Sequence, residues 1–362
     1  MTYQRITDHG FRFPDVSDLP EVKQEQRFQD DEVSGTIIAN MERCFRAKKG
    51  VNQFMATVDQ LLEHSEKQMP LDEGEQAILY GWRKKLSRQY VFQITSKRHD
   101  YTNTHSGLQQ YKELTENGVS FGQSEISQEI KKILQPDIDL LLQKTDELSP
   151  IGAYDRANPN LGARGNQVME ILNKEFAKQG HLEAARIYMN RKVEVKKVTL
   201  HVSYPTDTHI FQQYRDINLA NPKHPITTKL HIDPKFDLLK GAFYLGEVTE
   251  RQGPIWFVKT SHRWQHDEFE SVWGRANAVG NYMEDKLHRR AIFRLPSRLR
   301  INYQFGRNLL DGTDEQKNIT DKIVKLTTDK TGNFAIFDPG YIMHTGGNVD
   351  EGMRINLQLQ LK

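Results

Sequence analysis

The sequence predicts a mainly β core wrapped by an α-helical N-terminal half, and three observations carry that expectation. Apolar residues recur at helical spacing through the first half of the chain. Short strand-like runs separated by turn formers fill the second half. The last of those runs divides its two faces cleanly between polar and aliphatic side chains.

The helical evidence comes first along the chain. Residues 37–48, 51–67 and 73–97 carry apolar side chains at helical spacing, as does 124–146, where Pro136 is expected to break or kink the helix. Residues 165–190 read as one or two helices divided near Gly180. The polar stretch 1–34 shows no period and is expected to wrap the surface, and 148–165, rich in Gly, Pro and Asn, reads as a long loop. The character changes near Lys192. Strand candidates begin with Val193, Val195, Val198, Leu200 and Val202 and continue at 209–217, 228–232, 241–248, 255–259, 299–305, 323–328, 333–337 and 353–361. Gly253-Pro254, Asp329–Gly332 and Asp338-Pro339-Gly340 punctuate them, which favours a sandwich or barrel over a parallel α/β sheet. In the last run Arg354, Asn356, Gln358 and Gln360 share one face and Ile355, Leu357 and Leu359 the other, a strand suited to line a wet cavity and back onto helices. A helical region over 1–190 packed on a β core over 191–362, together one domain, is simpler than two separate ones.

Composition narrows the classes. The 362 residues are 37% hydrophobic and 27% charged, with a formal net charge of +2, an ordinary balance that argues for neither nucleic acid nor an acidic membrane as partner. No apolar run approaches the roughly 20 residues of a membrane span, and the start lacks the basic and apolar stretches of a secretory signal. Cys44 is the only cysteine, so an internal disulfide is impossible. A cytoplasmic setting is the expectation.

One constellation carries chemistry. His231-Ile232-Asp233 places an imidazole and a carboxylate two apart at a strand end, hence on one face. His344 follows much later, after an apolar strand and a Pro-Gly turn. Two His and one carboxylate leave the opposite side of a metal open, the geometry of iron(II) sites that bind a co-substrate and O₂ together. Arg354, ten positions on, offers a planar fork for a carboxylate. Taken singly, each has a bland reading. With 13 histidines, His-X-Asp arises by chance; a lone His344 suits a structural hydrogen bond; a lone Arg354 suits a surface acid. Their order along the chain is what raises the metal reading above these.

Over residues 195–362 the sequence resembles the phytanoyl-CoA dioxygenase-like branch of the 2-oxoglutarate oxygenases. The resemblance rests on His231-Ile-Asp233, Gly241-Ala-Phe-Tyr-Leu, Gly253-Pro254, Lys259-Thr-Ser-His262, Gly332-Asn-Phe-Ala-Ile-Phe-Asp-Pro, His344-Thr-Gly-Gly-Asn348 and Arg354. Two positions depart from the pattern: Asn333 stands where an aspartate is usual, and Gly346 where a small hydroxyl residue often lies, so that expected co-substrate contact is either absent or moved to Thr345. The resemblance implies a double-stranded β-helix (jelly roll) and Fe(II) held by His231, Asp233 and His344. It further implies 2-oxoglutarate held by Arg354, with Phe243 packing beside it and Gln213 hydrogen-bonding to it; a plain core Phe and a surface Gln are the alternatives for those two. The implied reaction consumes 2-oxoglutarate and O₂, releases succinate and CO₂ and hydroxylates a small organic molecule. Asp233 favours hydroxylation because related halogenases lack this carboxylate. His262 is expected to be architectural, and Trp256, Trp264 and Trp273 to be packing residues. The contrasting readings are a catalytically silent jelly roll binding metal or 2-oxoglutarate as a sensor or scaffold, and a different β-barrel metalloenzyme in which Arg354 binds substrate directly. Finally, residues 284–307 concentrate Lys286, His288, Arg289, Arg290, Arg294, Arg298, Arg300 and Arg307. As a rim they would suit an anionic substrate; the bland alternative is pairing with acids elsewhere.

Overall fold

The structure, a computed structural model, describes residues 3–5, 12–14, 28–95, 107–143, 155–204, 233, 238–263, 268–277, 290–291, 293–299, 321–347, 349 and 351–362. In chain order the elements begin with a short antiparallel pair, β1 (Tyr3–Arg5) and β2 (Arg12–Pro14). Helices α1 (Glu32–Arg46), α2 (Val51–Gln68), α3 (Glu73–Thr95) and α4 (Leu108–Asn117) follow, then β3 (Val119–Gly122), α5 (Ser127–Gln143), β4 (Asp155–Asn158), α6 (Gly162–Lys178) and α7 (His181–Met189). The second half holds β5 (Val195–Ser203), β6 (Leu239–Tyr244), β7 (Ile255–Val258), α8 (Glu268–Asn277), β8 (Ile323–Lys325), β9 (Phe334–Phe337), β10 (His344–Gly346) and β11 (Arg354–Leu361).

Two antiparallel sheets form the β core. One runs β3-β9-β6-β11-β5-β4 and the other β10-β7-β8. After β6 the chain passes to β7 and β8 in the smaller sheet, returns as β9, crosses again as β10 and ends on β11. That alternation is the winding of a jelly roll. The strand candidates at 209–217 and 228–232, and all but the start of 299–305, lie outside the described residues.

The alternating pattern of β11 does what its sequence implies. Leu357, Leu359 and Leu361 are buried on the face that meets α5, α6 and α7, in one cluster with Val198, Leu200, Phe243, Leu172 and Phe176. Each such side chain removed from water stabilises the fold by roughly 1.5–3 kcal/mol. The opposite face of the sheet carries Arg354, Asn356, Ala242 and Tyr244 toward the second sheet, where Ala242 and Tyr244 pack with Phe257 and Phe337. A separate apolar cluster joins α1, α2 and α3 to α8 through Met41, Phe54, Leu86, Tyr90 and Trp273.

Several elements differ from the sequence expectation. The helical half is not purely helical: β3 and β4 extend the larger sheet at its two edges, pairing with β9 and β5. Four-residue strands are too short to show a period. The stretch 148–165 therefore contains β4 and the start of α6. Helices α4 and α8 were not foreseen either. Pro136 lies inside an unbroken α5, because Pro136 and Lys132, whose carbonyl loses its partner, both lie on the exposed side, open to solvent. Asn333 explains its own departure from the usual aspartate. Its carbonyl oxygen accepts from Ser124 N (2.9 Å) and its amide donates to Ser124 O (2.7 Å), a pairing no carboxylate could complete. Gly332 beside it has φ +115°, and a Cβ there would lie 2.2 Å from Gly122 O. No helix among the described residues is long and apolar enough to cross a membrane.

Candidate metal and co-substrate site

The site is assembled around the turn before β10. Asp338, 2% exposed, caps that turn through Oδ1, which accepts from Gly340 N at 3.1 Å. Its Oδ2 accepts from Arg275 Nη2 (2.6 Å) on α8 and from Tyr188 Oη (3.1 Å) at the end of α7. The Arg275 guanidinium also lies over the Tyr341 ring, and Tyr341 Oη accepts from Ser271 Oγ at 2.8 Å. Burial pushes the Asp338 carboxyl and the Tyr188 phenol up and the Arg275 guanidinium down, so each depends on the others to keep its charge or its proton. The middle of the same turn reaches the other half of the motif, since Asp233 N donates to Pro339 O at 2.6 Å. A helix pair and a sheet thus hold one turn, and that turn holds the backbone of Asp233.

Six residues past Asp338 the chain enters β10 at His344, opposite Phe257 on β7. Met343 N donates to Ser261 Oγ (2.8 Å) and fixes the entry. The His344 ring packs against Phe337 at 4.9 Å, and its Nδ1 lies 3.0 Å from Ile342 O. Donation to that carbonyl puts the proton on Nδ1 and turns the Nε2 lone pair inward. Nε2 then lies 4.0 Å from Asp233 Oδ1, with both side chains under 10% exposed. Neighbouring donors each roughly 2 Å from one shared ion stand about 3 Å apart, so the two side chains need to close by about 1 Å to share a metal. The donor chemistry, imidazole plus carboxylate, fits iron(II). The expected third ligand, His231, lies outside the described residues, and among the described residues there is no group of three His, Cys, Asp or Glu able to hold a metal. Lys240 forms an ion pair with Asp233 through Oδ2.

Arg354 opens β11, 7% exposed, in register with Ser203 at the end of β5. Its Nη2 donates to Ser203 Oγ (3.1 Å) and its Nη1 to Gly347 O (3.2 Å). Its Nε has no partner among the described residues, nor has Asn356 Oδ1 two positions along the same face. Gly347 is three residues of extended chain from His344, roughly 10 Å. Tyr244, cross-strand from Asn356, has its phenol pushed up to about 12 by burial, so it stays a neutral hydroxyl, and its oxygen accepts from Ile255 N at 2.9 Å.

The structure thus brings Asp233 and His344 together and sets Arg354 beyond the far end of β10. Two expected co-substrate contacts are corrected. Phe243 faces the helices, where its ring stacks on Phe334 at 5.9 Å and 15°, because the strand period places it on the reverse of the sheet from Ala242 and Tyr244. Thr345, one residue from His344 on a strand, points to the opposite face and pairs with Trp256. Gln213 lies outside the described residues. His262 is architectural as expected: its Nε2 meets Thr115 O at 2.9 Å and ties the turn after β7 to α4. Trp256 and Trp273 are buried, as packing residues should be, whereas Trp264 lies outside the described residues. The basic stretch also resolves in part. Arg290 pairs with Asp72 and Glu75, Arg294 with Glu75, and Arg298 with Glu42 and Glu270, which is the bland reading; the remaining basic residues named there lie outside the described residues. Sequence reasoning missed Ser203, Lys240, Arg275 and the capping role of Asp338. The Asp-Pro-Gly turn was visible, but its partners come from elements too far along the chain to be paired by eye.

No family model and no curated protein matches the chain. Among solved structures, EctD from S. alaskensis with 2-oxoglutarate and 5-hydroxyectoine is similar at 15% identity, covering 74% of this chain and 80% of that one, with a TM-score of 0.37. The non-heme alpha ketoglutarate dependent epimerase SnoN from nogalamycin biosynthesis is similar at 12% identity, covering 70% and 80%, with a TM-score of 0.38. HygX from Streptomyces hygroscopicus, with nickel and 2-oxoglutarate bound, shows 10% identity, covering 72% and 87%, with a TM-score of 0.36. At these values the likeness carries no residue assignment, so the functional reading rests on the site itself.

Proposed function

We propose that this protein is a non-haem Fe(II)- and 2-oxoglutarate-dependent dioxygenase that hydroxylates a small organic substrate. The observation that carries the reading is the approach of His344 Nε2 to Asp233 Oδ1, 4.0 Å across a buried gap, from two segments held by one turn. In this reading His231, Asp233 and His344 hold the iron. Iron so held supplies O₂ activation coupled to decarboxylation of 2-oxoglutarate, which gives succinate and CO₂.

The chain's own residues do the rest. The Ile342 carbonyl keeps the Nδ1 proton in place, so Nε2 stays an electron-pair donor. Arg354 receives the distal carboxylate of 2-oxoglutarate through its fork. Ser203 orients that fork and supplies the hydroxyl that Gly346 lacks. Asp233 occupies the ligand place that a halide would need, so hydroxylation is preferred to halogenation.

The test is O₂-dependent succinate formation from 2-oxoglutarate by the iron-loaded protein, with metal content measured alongside. Asp233→Ala and His344→Ala should each lose bound iron and fall to background turnover while the fold persists. Wild-type succinate formation in His344→Ala under limiting iron would overturn the assignment.

A further inference from the structure

One face of α3 carries three enclosed polar side chains. On α3, Trp82, Lys85 and Gln89 fall at i, i+3 and i+7, hence on one side of the helix. Trp82 and Gln89 are 1% and 0% exposed, yet the indole Nε1 of Trp82 and both amide atoms of Gln89 have no hydrogen-bond partner among the described residues. Lys85 keeps some exposure along its length but none at Nζ, which also has no partner among the described residues. That ammonium is close enough to Asp233 to feel its carboxylate, while the ion pair with Asp233 is made by Lys240 instead. Burial drags the Lys85 amine down to about 7, with Asp233 only partly offsetting it.

Buried polar atoms are ordinarily satisfied, and a buried ammonium without a partner is costly. Three such side chains on one helix face are uncharacteristic of packing. They are what a binding surface looks like before its ligand arrives. Among the described residues, the Lys85 and Lys240 amines stand near the Asp233 carboxylate, which Lys240 already engages and a bound metal would claim as well, so an anion is the partner that suits Lys85.

We propose that Lys85 receives an anionic group of the organic substrate, a carboxylate or a phosphate, with the Gln89 amide and the Trp82 N–H bonding the polar atoms beside it. The inference rests on the oxygenase reading for the identity of the site. It gives the N-terminal helices a role: α3 supplies the substrate-selecting wall of a cavity whose chemistry lies on the β core. It also moves anion recognition away from Arg290, Arg294 and Arg298, which are already neutralised.

The experiment uses the full-length protein loaded with zinc in place of iron and with 2-oxoglutarate. Lysines are labelled as ¹³C-dimethyl amines, and the Lys85 resonance is assigned by its absence in Lys85→Arg. Acetate, inorganic phosphate and neutral acetamide are titrated in turn. The Lys85 resonance should shift saturably with acetate or phosphate, at concentrations about tenfold below those that move exposed lysines, and should ignore acetamide. Which anion acts first separates a carboxylate from a phosphate substrate. A Lys85 resonance that responds no more than exposed lysines overturns the proposal. In Lys85→Met, 2-oxoglutarate affinity should stay within about twofold of wild type, and its collapse would reassign the ammonium to the co-substrate and likewise overturn it. Failure of the wild-type protein to bind zinc and 2-oxoglutarate would instead count against the oxygenase reading, and is read separately.

Discussion

Two charged regions of this molecule follow opposite rules. Along residues 290–298, three arginines four positions apart meet the acids of the helical layer. Arg294, 6% exposed at its side chain, is held by Glu75 at 2.8 Å and by the carbonyls of Met69 and Pro70 at 2.9 and 2.8 Å. Around Asp233, Lys85, Lys240 and Arg354 are also largely buried, but among the described residues Lys240 alone of the three has an ion pair, and the Arg354 Nε has no partner. In the first region each arginine is spent on acids of the helical layer, Arg290 and Arg294 on Glu75 of α3 and Arg298 on Glu42 of α1 and Glu270 of α8. In the second, donors are held in place with capacity unused. Charge density alone does not distinguish the two, and the sequence draws the eye to the wrong one. Partners distinguish them.

The sharpest way to break the contrast is to remove a partner from the turn that links both regions. Arg275→Met leaves the Asp338 carboxylate buried with only Tyr188 and Gly340 as donors. The expected cost is roughly 3–5 kcal/mol of stability. It is read as a lower urea midpoint at unchanged slope, together with weakened metal binding, since the turn carries both His344 and the Asp233 backbone contact. Combining it with Asp338→Asn should recover part of the stability but not the metal site. A fully stable single variant would mean the clamp is ornamental.

Next in size is the helical layer. Arg294→Met strips Glu75, 1% exposed at its side chain, of its closest cation, although Arg290 remains at 3.4 Å. About 3 kcal/mol is expected, at the lower end for a broken buried pair. Because this region binds nothing in our reading, 2-oxoglutarate affinity of the folded variant should be unchanged. A loss of affinity with no loss of stability would invert the comparison.

What the sequence disclosed follows the same division between local and distant causes. The β11 pattern announced its two faces because a strand's period is written in consecutive residues. His-X-Asp, the distal His344 and Arg354 were legible as an ordered set, and Asp233 and His344 do meet. Register was not legible. Nothing local says that Arg354 lies opposite Ser203, that Phe243 turns to the helices, or that Pro339 accepts from Asp233. Short strands such as β3 and β4 gain their identity from the strands beside them, and the fate of Arg294 was set by Glu75, far upstream. Lys85 went unnoticed for a simpler reason: a lysine in an amphipathic helix is expected on the wet side.

On the site face the expected effects are smaller but selective. Ser203→Ala removes one hydrogen bond to a guanidinium, worth about 1.5 kcal/mol, so 2-oxoglutarate affinity should fall roughly tenfold with metal binding untouched. Isothermal titration with each ligand separates the two. Equal losses in both would place Ser203 in the general packing of β5, not in the orientation of Arg354.

The smallest effect should come from the arginine that looks most heavily paired. Arg298 contacts Glu42 and meets Glu270 at 3.0 Å, two acids against the one of Arg294. Counting contacts would rank it first. Its side chain, however, is 46% exposed, so water screens both attractions and hydrates the guanidinium when they are lost. Glu270 and Glu42 are more enclosed, at 8% and 13%, and this keeps the effect above zero. Arg298→Ala should therefore cost no more than about 1 kcal/mol and should shrink further in high salt, whereas the Arg294→Met loss should barely respond to salt. Parallel urea titrations of the two variants at low and high ionic strength make the measurement. If Arg298→Ala proved as costly as Arg294→Met, and equally insensitive to salt, the number of partners and not their burial would govern this layer, and the contrast drawn with the site face would lose its basis.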